Sequence, residues 1–253
     1  MNILDYWNTN NFDTSSYKWG ISERKNKIEN ASGTDDSGLC TYTYNELGFR
    51  SDSIYKEGFK ILSLGCSLTE GVGVDDTETW PAQLCKYIPN SVNLNFGTGG
   101  RSNDYITRCL ISYFDLIKPD LVLVLYTYKH RRELYTNLDR VESYVPGKSW
   151  GYLKETFEGQ RIQYFTDRLQ NDNEDTINWY KNHLLISNFL ENKKVPFVWN
   201  GSLLRVGYKD TNQFMYEYSP FVDIGKDNAH PGPIHNKLYS TALYKHILNK
   251  GII

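Results

Sequence analysis

The chain has 253 residues, a formal net charge of -2, 40% hydrophobic residues and 23% charged residues. Such a composition excludes a disordered or fibrous chain, and the near balance of charge exerts no global pull toward nucleic acid or an anionic membrane. Four cysteines, Cys40, Cys66, Cys85 and Cys109, show no CxxC spacing, and a chain of this size needs no disulfide staples, so free thiols are expected. The opening MNILDYWNTNNFD has no basic stretch followed by an apolar one, and no later segment is a long uncharged apolar run. Cytoplasmic synthesis is the expectation, with release by lysis or carriage on a particle compatible with the same reading.

Residues 1–58 read as an irregular, polar lead-in, with a turn-rich run at 30–38 and a Tyr/Thr alternation in TYTYNELGFRSD (41–52) that suits a short edge strand or hairpin. From residue 59 the pattern changes. FKILSLG is a short apolar run closed by glycine, and TETWPAQLCKYI after it has Trp80, Leu84 and Ile88 at helical spacing, with Pro81 admissible only in a first turn. SVNLNFG (91–97) predicts a second strand, 102–118 a helix burying Ile106, Leu110, Tyr113 and Ile117, and LVLVLYT (121–127) a third strand. A polar, aromatic-rich stretch at 128–172 is too long for an ordinary connection and reads as an insertion or lid. Beyond it, 174–194 predicts a helix using Ile177, Leu184, Leu185 and Phe189, VPFVWNG (195–201) a fourth strand, and 233–250 a closing helix. Continuous apolar strands separated by amphipathic helices predict an α/β fold with a parallel sheet covered on both faces. The expected organisation is the lead-in of residues 1–58 packed on one α/β domain of residues 59–253.

In open α/β sheets, ligands bind beyond the carboxyl ends of the strands. Four stretches occupy such places. GCSLTEG (65–71) follows the first strand, and a sharp turn at its glycine would set Ser67 at the start of a helical segment, where its own N–H and the positive helix end favour an anionic intermediate. In NFGTGGRSN (95–103) the glycines allow backbone N–H groups to approach a reacting oxygen. YTYKHRRE (126–133) is strongly basic at a strand end. DNAHPGP (227–233) places Asp227 three residues before His230, a spacing at which a carboxylate can hold one imidazole nitrogen while the other faces a hydroxyl.

In order and spacing, GCSLTEG, NFGTGG and DNAHPG resemble the first, second and last blocks of the SGNH (GDSL) hydrolases, over roughly residues 59–250. TYNELGFRS is similar to a segment that often precedes the first block. The resemblance implies a three-layer, flavodoxin-like α/β/α sandwich and a serine esterase without a cofactor. It assigns Ser67 as nucleophile and oxyanion donor, Gly100 as second donor (the last residue of the N-x-x-x-x-G pattern begun by Asn95), His230 as base and Asp227 as its orienter. Two departures stand out. Cys66 replaces the first-block aspartate, and the third block lacks its Asn donor, so that Lys129, His130 or Arg131 is left to donate or to bind substrate.

Plainer roles exist for each residue: helix cap for Ser67, tight turn for Gly97 and Gly99, solvated basic cluster for 129–132. Cys66 is a rival nucleophile at a helix start. His130, His183, His235 and His246 lack metal-ligand spacing, and no metal is expected. The expected substrate is a small acyl ester, including an O-acetyl group on a glycan. The competing expectation is a non-catalytic carbohydrate-binding or particle-associated module. A phosphate loop in GCSLTEGVG is disfavoured, since GK[ST] and G-x-G-x-x-G are both missing.

Overall fold

The computed structural model describes residues 28–30, 39–135, 141–144, 157–204 and 207–253. In chain order, β1 (Ile28–Asn30) pairs antiparallel with β2 (Leu39–Thr41), and β3 (Phe59–Leu64) leads into the one-turn α1 (Ser67–Glu70). A 3-10 turn (Asp76–Glu78), α2 (Trp80–Cys85), β4 (Ser91–Asn95), α3 (Asn103–Ile117) and β5 (Leu121–Leu125) follow. The hairpin β6 (Arg132–Tyr135) and β7 (Val141–Tyr144) precedes α4 (Phe157–Arg168), α5 (Asp172–Lys193), β8 (Phe197–Asn200) and α6 (Pro233–Asn249).

β3, β4, β5 and β8 form one parallel sheet in the order β4-β3-β5-β8. Numbered by their own sequence this is 2-1-3-4, the flavodoxin-like arrangement. Every residue of β5 and of β8 is buried, which is why neither strand alternates with polar residues. Leu62, Leu64, Val122 and Val124 face α3 and α5. Ile61, Leu121, Leu123 and Val198 face α2 and α6. The result is three layers, α/β/α, with a core on each side of the sheet.

Local chemistry sets the helix limits. Thr79 caps α2 by accepting from Ala82 N–H, with Pro81 in the first turn, and Ser102 caps α3 by accepting from Tyr105 N–H. Asn171 accepts from two N–H groups at the start of α5, where Asp172, Glu174 and Asp175 also complement the helix dipole. α3 and α5 both end at a lysine in the left-handed region, Lys118 and Lys194.

Three local expectations change. The Tyr/Thr alternation does not make a strand of 42–44: pairing stops at Thr41, and Asn45 Oδ1 instead accepts from the N–H groups of Leu47 and Phe49 to build a turn. α2 ends at Cys85, and Ile88 is buried from the turns beyond it. On α5 the buried face is Trp179, Asn182, His183, Ile186 and Leu190, whereas Ile177, Leu184 and Leu185 are exposed. Polar residues take that face because they are satisfied there. Asn182 donates to Asp104 at 2.7 Å, and the His183 ring lies between Asp210 at 3.0 Å and Tyr126 Oη at 3.1 Å.

The lead-in is described for 28–30 and 39–58. Tyr42, Tyr44, Phe49 and Ile54 are buried, and Phe49 stacks on Phe96 at 3.8 Å between ring centroids. Within the 128–172 stretch, β6 is tied to two helices: Glu133 receives a two-pronged bond from Arg108 of α3, and Arg132 pairs with Glu174 and Asp175 of α5. Residues 136–140 and 145–156 of that stretch lie outside the described residues. No helix among the described residues is long and apolar enough to cross a membrane.

Candidate active site

The first block makes a tight turn at the end of β3. A side chain on Gly65 would run into Thr69 Oγ1 and Cβ, so glycine alone fits there. Cys66 has a non-helical backbone, and its carbonyl accepts from the N–H groups of Thr69 and Glu70, opening α1 at Ser67. Ser67 is half-buried. As the first residue of a helix it has an orphan N–H, which no acceptor among the described residues meets.

The second block is zipped onto α1. Asn95 Nδ2 donates to Thr69 O at 2.8 Å while its Oδ1 accepts from Gly97 N–H at 3.0 Å, and Thr98 N–H donates to Gly65 O at 3.2 Å. A Cβ on Gly97 would strike the backbone of Thr69 and Glu70, so the glycine permits this close approach. Gly99 N–H donates to Glu70 Oε2 at 2.6 Å, and a Cβ on Gly99 would stand 3.7 Å from Ser67 Cβ. Gly100, at φ 74°, faces open space, and no acceptor among the described residues takes its N–H. Among the described residues, the N–H groups of Ser67 and Gly100, on adjoining segments, thus both lack an acceptor. Glu70 was not singled out from sequence; the available signal was a carboxylate inside a block that must be buried.

The last block precedes α6. Asp223 fastens the helix start by accepting from Ile234 N–H at 3.0 Å and His235 N–H at 2.7 Å. Within the loop, Asp227 Oδ2 is bonded to His230 Nδ1, and Asp227 Oδ1 accepts from the N–H groups of His230 at 3.0 Å and Ala229 at 3.2 Å. The Asp227 side chain is 2% exposed and that of His230 26%. Burial raises the Asp227 carboxyl, but the imidazole and the two N–H groups outweigh it and hold the carboxyl below its ordinary value. With Nδ1 on the carboxylate, Nε2 has no hydrogen-bond partner among the described residues.

Asp227 lies against the turn that follows α1. A Cβ on Gly73 would stand 2.8 Å from Asp227 Cγ, and Lys226 N–H donates to Gly73 O at 2.8 Å. Among the described residues no hydrogen bond joins Ser67 Oγ to the His230 ring.

The basic stretch after β5 divides by residue. Thr127 is stapled to the start of α3 by both ends of the Asn103 amide, at 3.0 and 3.2 Å. Lys129 turns to α5, where its ammonium meets Asp172 at 2.6 Å and Thr176 at 3.0 Å. His130 stacks on Tyr128, its imidazole shifted down by burial and then by Arg131. Arg131 lies over the Tyr128 ring and its Nη1 reaches Arg101 O at 3.5 Å, beside Gly100. Of the three, among the described residues, only Arg131 has a hydrogen bond to the segment that directly follows the second block. Cys66 is 2% exposed, with its side chain in the core on the α2 and α6 side.

No family model and no curated protein matches the chain. Solved structures with a similar fold include a protein of Desulfitobacterium hafniense DCB-2 described as lipolytic and of the G-D-S-L family, at 14% identity and TM-score 0.34, covering 74% of this chain and 99% of that one. The family 3 carbohydrate esterase of Clostridium thermocellum is similar at 15% identity and TM-score 0.36, covering 77% and 97%.

Proposed function

We propose that the chain is a serine hydrolase of the SGNH (GDSL) kind that cleaves a carboxylic ester through Ser67, His230 and Asp227. The observation that carries this reading is the buried Asp227 carboxylate bonded to His230 Nδ1, in a loop fastened to the turn directly behind the Ser67 helix. Ser67 Oγ attacks the carbonyl carbon as its proton passes to His230 Nε2. The carbonyl electron pair moves onto oxygen, which the N–H groups of Ser67 and Gly100 receive. Collapse expels the alcohol with the proton returned by His230, leaving an acyl-serine. A water molecule, deprotonated by His230, then releases the acid and regenerates Ser67.

The substrate class is a small acyl ester, including an O-acetyl group on a glycan, and the chemistry requires no cofactor. A second reading, a carbohydrate-binding module without catalysis, is favoured by one observation: the third-block amide is missing and Lys129 is engaged by α5. Fluorophosphonate labelling and p-nitrophenyl acetate hydrolysis separate the two. Labelling that disappears in Ser67→Ala, with turnover lost in His230→Ala, supports the hydrolase. An unlabelled, inactive parent protein favours the binding module.

A further inference from the structure

The N–H groups of Glu70, Gly71 and Val72 bond back to the carbonyls of Cys66 and Ser67, and two other parts of the chain take the remaining polar groups of the turn that follows. From the lead-in, Arg50 projects a guanidinium whose side chain is 2% exposed. Its Nη1 donates to Gly71 O at 2.5 Å and Glu70 O at 3.2 Å, its Nη2 to Val74 O at 2.7 Å, and its Nε to Asp76 Oδ1 at 2.6 Å. Glu70 O and Gly71 O lie at the C-terminal end of the one-turn helix, where carbonyls lack helical partners and a cation is favoured, and Val74 O belongs to the turn beyond it. The guanidinium stacks on Tyr42 at 3.8 Å, and Tyr42 Oη accepts from Gly73 N–H at 2.8 Å. Burial pushes the Tyr42 hydroxyl up to about 12, so it stays protonated.

The other side of the same turn meets the base loop. Gly73 O accepts from Lys226 N–H, a Cβ on Gly225 would stand 2.8 Å from Gly73 O, and Gly73 itself abuts the Asp227 carboxylate. Gly71 and Gly73 both have left-handed backbone, at φ 80° and 85°. The turn is thus clamped from the lead-in and presses on the carboxylate that orients His230.

We propose that Tyr42 and Arg50 are positioning residues of the Ser67/His230/Asp227 site, acting through the 71–74 turn to set the nucleophile helix against the base loop. The proposal rests on the hydrolase reading above, and it makes the lead-in part of the active site. The planar Arg50 fork holds three carbonyls and the Asp76 carboxylate at once in a fixed geometry, with more donors than a lysine ammonium has.

The test uses the full chain and two mild variants, Tyr42→Phe and Arg50→Lys, with folding checked by circular dichroism. Steady-state hydrolysis of p-nitrophenyl acetate is measured together with amide hydrogen exchange at Lys226, whose N–H lies on the far side of the turn. The expected result is a loss in kcat of about 10-fold with KM within about 2-fold, since misplacement at a distance acts on the chemical step. Exchange at Lys226 should quicken in the same variants. Introduced into Asp227→Asn, Tyr42→Phe should lose most of its effect, because residues acting as a unit are not additive. Folded variants with parental kcat overturn the proposal, whether or not Lys226 exchange changes; additive effects with Asp227→Asn overturn it as well. An inactive, unlabelled parent refutes the hydrolase reading itself and takes this proposal with it, an outcome distinct from an active parent with unaffected variants.

Discussion

Gly73→Ala tests whether the 71–74 turn holds Asp227 in place. At φ 85° an L-residue is strained, at a cost of about 1–2 kcal/mol. The added methyl would also stand 2.8 Å from Asp227 Cγ. Carbon atoms rest at about 3.5–4.0 Å, so the carboxylate must retreat by about 1 Å. His230 Nδ1 is bonded to that carboxylate and would follow or lose it. A displacement of about this size can cost about 100-fold in rate. The expected outcome is a kcat for p-nitrophenyl acetate lower by about 100-fold, with a urea unfolding free energy lower by about 1–2 kcal/mol. Gly251→Ala isolates the backbone strain, because Gly251 is also left-handed, at φ 62°, and a Cβ there meets nothing within 4 Å. That control should lose stability and keep its kcat. A folded Gly73→Ala protein with kcat within about 3-fold of the parent would refute the argument that the turn positions Asp227.

The basic stretch after β5 gives a second prediction. Lys129→Ala should leave kcat unchanged and cost less than about 1 kcal/mol, since its ammonium pairs with an Asp172 side chain that is 81% exposed, whereas Arg131→Ala should lower kcat by about 100-fold with little change in KM if its guanidinium serves as the third oxyanion donor. Equal turnover in both variants assigns the whole stretch to surface and packing roles. A third prediction concerns acid. Burial holds His130, His183, His235 and His246 below the ordinary 6.5, so the unfolded chain binds more protons than the folded one as pH falls through that value. Their contribution is fully present above 6.5 and is progressively lost below it, so the urea midpoint should fall between about pH 7.5 and 5.5 and fall less in His235→Gln. Asp227, held below 3.8, adds stability that is present above that value and lost as pH falls through its folded-state value, in a separate window. A midpoint unchanged from about pH 7.5 to 5.5 would contradict the histidine assignment.

The centre of the sheet was legible because β5 and β8 are buried along their whole length, a fact β5 carries as the unbroken apolar run LVLVL. The helices between the strands were legible by spacing, with Ile106, Leu110 and Ile117 all buried on α3. α5 misled for a physical reason. Its inward face carries Asn182 and His183, whose polar atoms are satisfied by Asp104, Asp210 and Tyr126, while Ile177, Leu184 and Leu185 are exposed. Hydrophobic patterning cannot register a polar residue that finds its partner from a distant segment.

The same distinction divides the candidate site. The places of Ser67 at the start of α1, of Gly100 in the loop between β4 and α3, and of the Asp227/His230 pair ahead of α6 were legible, because such places are marked by local glycine, proline and short-range spacing. What joins these pieces is not local. Arg50 reaches carbonyls at residues 70, 71 and 74, Glu70 reaches Gly99, and Gly73 touches Asp227. In three dimensions Gly73 is a glycine because a carboxylate occupies the space of its side chain, and Gly71 because Thr79 does. A glycine so placed confers close contact rather than flexibility. The GVG that follows the first block is therefore better understood together with DNAH than with GCSL: its left-handed turns let two remote segments approach closely enough for one to hold the other in register.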